Sequence, residues 1–231
     1  MITSERAQPP SEPHLNMNSQ LIRITVSVVV ALIAGSSVSF GATQEERKAT
    51  FVESTSPEVS EITRHGKNAI NRLANAMVRE LSIELRKKPP EDVVEICHLK
   101  YLTMEGDSIK GLPHIKAVKL TSLKVRSPAN APDVEDKLAL KQFEYLMNYG
   151  NSVPDLLVQR IDGPNSNREW RVYRPLGVAK QCLDCHGDPS KQSPALRAKL
   201  EALYPSDEAI GYSKHQWRGV IRVTVTESET K

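Results

Sequence analysis

Apolar residues recur along residues 59–85 at steps of mostly three and four positions, which is the spacing of one helix face. This pattern predicts a long amphipathic helix. Pro89 and Pro90 end it, because proline inside a helix removes a backbone hydrogen bond. The two acidic residues that follow suit the first turn of a second helix over residues 93–102, where the helix dipole favours negative charge.

Further along the chain, apolar and polar residues alternate, as they do in half-buried strands. The predicted strands are Ile115–Thr121, Ser122–Arg126, Leu156–Ile161, Arg168–Leu176 and Gly219–Val225. Between them, Asp133 and Asp136 are placed to cap one helix over Val134–Asn148. Helices come first, and strands with one inserted helix come later, without repeated βαβ units. This order predicts an α+β fold with an antiparallel sheet.

The pattern near the N-terminus predicts export. A mostly apolar run, Ile24–Ala34, lies behind Arg23 and is followed by small residues, as in a secretory signal peptide. Small residues at positions 39 and 41 fit cleavage after residue 41, so residues 1–41 are the expected signal peptide. Met17 is an alternative start, which would make residues 1–16 an upstream extension. We therefore expect a periplasmic protein.

An uncleaved signal anchor is the alternative for this segment. The apolar run is short for a bilayer span, which needs roughly 20 apolar residues. Contact with the membrane is expected only if the signal segment is not cleaved.

Composition indicates one main domain after the signal segment. The chain has 231 residues, 39% of them hydrophobic, and a net charge of +3 from 31 basic and 28 acidic residues. This balance does not indicate a nucleic-acid partner. Residues 42–58 are expected to be a linker, because their first part is polar and charged, and residues 59–228 a single domain.

One motif carries chemistry. Cys182, Cys185 and His186 form the C-x-x-C-H pattern of covalent c-type heme attachment. Two thiols at this spacing add to the two vinyl groups of heme, and the imidazole of the next residue becomes the proximal iron ligand. An exported location agrees with this interpretation, because c-type heme is attached outside the cytoplasm. The motif therefore predicts one covalently bound heme c.

Three other interpretations of the motif stay open. A structural zinc site needs four ligands, and this motif supplies three. A thioredoxin-like dithiol is a second alternative, and it does not require a histidine after the second cysteine. A plain disulfide between the neighbouring cysteines is the third alternative.

Cys97 is left over in an oxidising compartment and needs an explanation. It is buried as a small apolar residue, paired with a second chain, or bound to the sixth position of the iron as a thiolate. It shares a predicted helix face with Val93, Ile96 and Tyr101, and this apolar stripe suits a porphyrin or an ordinary core. Other candidates for the sixth ligand are His98, His114, His215 or a methionine.

Two further stretches accompany the C-x-x-C-H motif: Thr121–Asp133 reads T-S-L-K-V-R-S-P-A-N-A-P-D, and Tyr173–Leu176, ahead of the motif, reads Y-R-P-L. They are similar to the stretches T-S-x-K-x-R-N-P-x-N-x-P-D and Y-x-P-I of the Tll-type family of extracytoplasmic c-type heme proteins, and residues 93–225 resemble this family. The closing segment, residues 204–219, is similar as well. Leu120 and Ser127 depart from the family pattern, which usually has arginine and asparagine there.

The resemblance implies a PAS-like fold of the kind found in sensory domains. It also implies that Cys97, on the matching helix, is the axial ligand opposite His186. Lys124 and Arg126 are candidates for pairing with the heme propionates, and exposed charge on a strand face is the alternative for them.

A heme held by two protein ligands has no open iron position, so we expect no enzyme activity. The two expected functions are low-potential electron transfer with a redox partner protein and redox or gas sensing through a signalling partner. A non-heme extracytoplasmic PAS-like module that binds another ligand is the alternative.

Overall fold

The computed structural model describes residues 47–99, 103–105, 111–149, 152–164 and 167–227, and for 95–99 and 103–105 it describes the backbone. The strands are β1 (Lys48–Val52), β2 (Thr103–Glu105), β3 (Ile115–Thr121), β4 (Leu157–Asp162), β5 (Arg168–Gly177) and β6 (Trp217–Val225). They form one sheet in the order β1-β4-β5-β6-β3-β2. Every neighbouring pair is antiparallel.

The helices are α1 (Ser60–Glu84), α2 (Pro90–Leu99), α3 (Val134–Asn148), α4 (Leu183–His186) and α5 (Pro194–Leu203). The predicted α+β class with an antiparallel sheet is confirmed. The predicted bounds of α3 are also confirmed, because the Asp133 carboxylate accepts a hydrogen bond from the backbone N–H of Asp136 in a capping box.

Helices cover both faces of the central strands. On one face, α1 buries Ile62, Ala69 and Ile70 in a cluster with the β5 and β6 side chains Val172 and Val223. On the other face, apolar side chains of α3 pack against β5 and β6; they are Ala139, Leu140 and Phe143. The sheet is therefore held between α1 and α3, and this arrangement leaves the strand ends free to form sites.

Gly66 allows α1 to lie close to β5. A Cβ atom at position 66 would lie 2.6 Å from the side chain of Val172. We expect Gly66→Ala to lower the free energy of unfolding by about 1–3 kcal/mol, the usual cost of overpacking a core. Chemical denaturation measures this loss. Adding Val172→Ala should reduce the effect of the new methyl group, and an equal effect of G66A in both backgrounds would contradict this contact.

The prediction of a linker over residues 42–58 is wrong for the middle part of this segment. Lys48–Val52 is strand β1, which pairs with β4 from Lys48 opposite Asp162 to Val52 opposite Val158. This strand lies at the sheet edge and has polar and half-exposed positions, which are typical of edge strands. Its composition therefore resembles that of a linker.

The prediction of a strand over Ser122–Arg126 is also wrong. The backbone of Val125 accepts a hydrogen bond from the N–H of Glu208 at 2.9 Å, and its own N–H donates to the Glu208 carboxylate at 3.3 Å. The segment therefore binds the loop around Glu208, and no neighbouring strand pairs with it among the described residues.

The expected signal peptide, residues 1–41, lies outside the described residues, as does the alternative start at Met17. In the part of the chain that the structure describes, no helix has the length and apolar character needed to cross a membrane.

Candidate functional site

An apolar cavity lies at the end of the sheet where β3 and β5 end and β6 begins. Thr121, Gly177 and Gly219 line it from these three strands. The start of α2 contributes Val93 and Val94. The C-x-x-C-H segment lines the same cavity with both of its thiols and its imidazole. The fold therefore brings the predicted chemistry to an apolar cavity.

The second half of α1 also lines this cavity. Its side chains there are Met77, Val78 and Leu81, and Leu85, which directly follows α1, lines the cavity as well. In contrast to the first half of α1, which is packed on the sheet, none of the four is fully buried, and Val78 is 37% exposed. Apolar surface that lines an open cavity is typical of a ligand site, because it costs free energy when it contacts water.

His186 ends the short helix α4, and a backbone carbonyl holds its ring. The Nδ1 atom lies 2.7 Å from the carbonyl oxygen of Ala209. A carbonyl oxygen only accepts hydrogen bonds, so Nδ1 carries the proton and Nε2 keeps a free lone pair. Burial, together with repulsion from Arg126 and Arg218, lowers the pKa of His186 to about 3. The imidazole is therefore neutral, as metal ligation requires.

The two thiols of the motif are free and half-buried. Burial raises the pKa of Cys182, and it raises the pKa of Cys185 to about 11. Both side chains are therefore protonated at neutral pH. This state argues against the thioredoxin-like alternative, which needs a thiol with a lowered pKa.

Among the described residues, no further zinc ligand accompanies the motif. In the described segments of the chain, no three or more His, Cys, Asp or Glu side chains are grouped so that they could hold a metal ion. The donor set at the cavity, two neutral thiols and one neutral imidazole, fits heme attachment better than tetrahedral zinc.

Arg126 links the heme motif to the loop that holds His186. Its side chain is 12% exposed and forms an ion pair with Asp207 at 2.8 Å. It also donates to the backbone carbonyl of Cys185 at 2.5 Å and to that of Ala209 at 3.3 Å. Arg126 therefore lies at the cavity, and its charge already has a partner in Asp207, so its predicted pairing with a propionate stays a prediction.

Lys124 does not line the cavity. It is exposed, and its Nζ atom lies 5.3 Å from the ring centroid of Tyr212. The predicted pairing of Lys124 with a propionate therefore has no support from its position.

Arg218 is the second cation at the cavity, and it was not among the residues predicted for the site. Its Nη1 atom donates to the backbone carbonyl of Lys124 at 2.9 Å and to the hydroxyl of Ser122. Its guanidinium lies 5.4 Å from the Tyr212 ring centroid. Burial lowers its pKa. Its place beside Gly219 in the closing segment was the available sequence signal.

The candidates for the sixth iron ligand differ in their positions relative to the cavity. Cys97 is in α2, but its side chain lies outside what the structure describes, as does that of His98. His114 lies beside His65 with ring centroids 4.1 Å apart, and His215 is exposed. Neither of these two lines the cavity, whereas Met77 does.

The fold and the site define an α+β protein with a C-x-x-C-H segment at an apolar cavity. The model of the Tll0287-like family matches residues 42–226, and the chain belongs to this family. The resemblance inferred from the motifs is thereby confirmed.

Among solved structures, the chain is similar to the cyanobacterial heme-protein Tll0287, with 27% sequence identity and a TM-score of 0.37. The similarity covers 49% of this chain and 63% of that chain, which is less than two thirds of its length. No curated protein matches the chain.

Proposed function

We propose that this chain is a periplasmic protein that binds one heme covalently through Cys182 and Cys185, with His186 as the proximal iron ligand. The hydrogen bond between His186 Nδ1 and the Ala209 carbonyl carries this proposal. It leaves Nε2 free on a side chain that lines the same apolar cavity as the two thiols. A histidine that binds iron through Nε2 needs this tautomer.

The residues around the motif have separate roles. Cys182 and Cys185 would each hold the heme by a thioether, formed when the S–H bond adds across one vinyl group with sulfur on one vinyl carbon and the proton on the other. The carbonyl of Ala209 orients His186, and Arg126 holds the Cys185 backbone to the same loop. The apolar side chains of α1 and α2 would give the heme an apolar surround. The bound heme supplies a one-electron iron couple.

Cys97 is the proposed sixth ligand. It follows Val93 by four positions and Val94 by three, which is the spacing of one helix face, and both valines line the cavity. Met77 is the second candidate, because its own side chain lines the cavity. A thiolate ligand lowers the reduction potential, whereas a methionine ligand raises it.

Low-potential electron transfer is the function that this arrangement supports best. Two protein ligands would occupy both axial positions of the iron, so we propose no enzyme activity. Redox or gas sensing is the second candidate, because the apolar lining favours an uncharged diatomic ligand over an anion. Mixing the reduced protein with CO or NO separates the two functions. Binding of either gas supports sensing, and binding of neither gas supports electron transfer.

The sixth ligand gives a testable prediction. We expect Cys97→Ser to change the ferric absorption spectrum and to raise the midpoint potential, because the iron loses an anionic donor. Redox titration followed by absorbance measures both effects. Met77→Leu is the matched control and should change neither. The reverse outcome would assign Met77 as the ligand, and two unchanged spectra would remove both residues from the iron.

A further inference from the structure

A second, polar pocket of about 370 Å³ lies on the α3 face of the sheet. It is lined from β3 by Ala117 and Lys119, from β5 by Arg171, and from β6 by Arg222 and Thr224. Thr121 and Val220, which line the apolar cavity, lie toward the other ends of β3 and β6. The pocket is thus a different place in the fold from the proposed heme site.

The strand register explains why charged residues meet here. Ala117, Thr224 and Arg171 form one cross-strand row, and Lys119 and Arg222 belong to the adjacent row. Residues that are paired across an antiparallel sheet point to the same face. The small side chains of Ala117 and Thr224 leave space beside the long side chain of Arg222.

Arg171 and Lys119 have their charges satisfied. Arg171 donates to the carboxylates of Asp133 at 2.8 Å, Glu169 at 2.5 Å and Asp136 at 3.1 Å. Lys119 donates to Asp136 at 3.2 Å and to a backbone carbonyl. Asp136 is completely buried and is shared by both cations.

Arg222 differs from these two cations. Its side chain is 10% exposed, and its Nη1 atom donates to the Thr224 hydroxyl at 2.8 Å. Its Nε atom makes no hydrogen bond and lies 3.5 Å from the Asp136 carboxylate. A buried guanidinium with an unused N–H donor is costly, because burial removes the water that would otherwise accept from it. The Nε atom is closed to water in the structure, so an acceptor that removes this cost must enter the pocket and displace its lining enough to reach the guanidinium.

We infer that the pocket binds a small monocarboxylate against the Arg222 guanidinium. The planar fork of an arginine matches the two oxygens of a carboxylate. The lining residues carry four cations and two acids: Lys116, Lys119, Arg171, Arg222, Asp133 and Glu169. Together with the Asp136 carboxylate beside them, these groups have a net charge of one positive unit. This net charge fits a monoanion better than a doubly charged phosphate or sulfate.

The test uses the mature protein with its heme reduced. Sodium acetate is titrated at constant ionic strength, with sodium chloride and sodium sulfate as parallel arms, and binding is followed by calorimetry and by the NMR signal of the Arg222 Nε–H. Acetate should give a saturable response that is stronger than the response to the other two salts. Arg222→Gln should weaken acetate binding at least tenfold. Arg160→Gln, which changes an arginine that does not line the pocket, should leave it unchanged.

Arg222→Lys is the second variant, because it keeps the charge and removes the fork. It should also weaken acetate binding at least tenfold, and it decides the test if Arg222→Gln does not fold. No saturable response to acetate, a stronger response to sulfate, or equal acetate affinity in both Arg222 variants and wild type would each overturn the inference. None of these outcomes depends on how the heme is bound.

Discussion

Replacing both Cys182 and Cys185 by serine is expected to abolish covalent heme attachment completely. The two thiols line one cavity with His186, and a serine hydroxyl does not form the thioether. Intact-mass measurement under denaturing conditions, together with the absorption of the pyridine hemochrome, detects this loss.

Three single variants are the controls for this experiment. Cys182→Ser and Cys185→Ser should each leave at most one thioether, which shifts the hemochrome maximum from that of the wild type. Cys97→Ser should keep the full mass increase of one heme over its own polypeptide, because Cys97 is outside the motif. Heme that stays covalently bound in the double variant would show that other side chains attach it.

Removing the Asp136 carboxylate is expected to cause the largest loss of stability. Asp136 is completely buried, and its oxygens lie within 3.5 Å of nitrogens of Lys119, Arg171 and Arg222. It also accepts a hydrogen bond from the Tyr173 hydroxyl at 3.2 Å. Asp136→Ala removes the one buried carboxylate that these groups share, leaves part of their positive charge uncompensated, and should lower the free energy of unfolding by about 3–5 kcal/mol.

Chemical denaturation of the variant and of a surface control measures this effect. Glu61→Ala removes an exposed carboxylate that pairs with Arg64 on α1, and it should change stability little, because water replaces the lost partner. Similar losses in the two variants would contradict the role given to burial at Asp136.

Local interactions explain which elements the sequence could predict. The long helix and α3 depend on apolar spacing and on a cap between Asp133 and Asp136, all within one segment. Strand β1 and the segment around Val125 depend on partners far along the chain, namely β4 and Glu208. No local pattern contains that information, and both predictions were wrong.

In the candidate site, too, local sequence predicts some features, and others depend on partners far along the chain. The spacing of Cys182, Cys185 and His186 predicts the chemistry that we propose, because covalent heme attachment requires that spacing. The group that orients His186 is the backbone carbonyl of Ala209, and a backbone group has no residue-type signature. Arg218 reaches the cavity from β6, which only the folded sheet brings beside the motif.

The central claim is that a heme is bonded permanently to the two sulfurs of the motif. The intact mass of the denatured wild-type protein, exported from cells that attach heme to another c-type cytochrome, tests it most directly. We predict the mass of the mature polypeptide plus one heme. The mass of the polypeptide alone would contradict the claim.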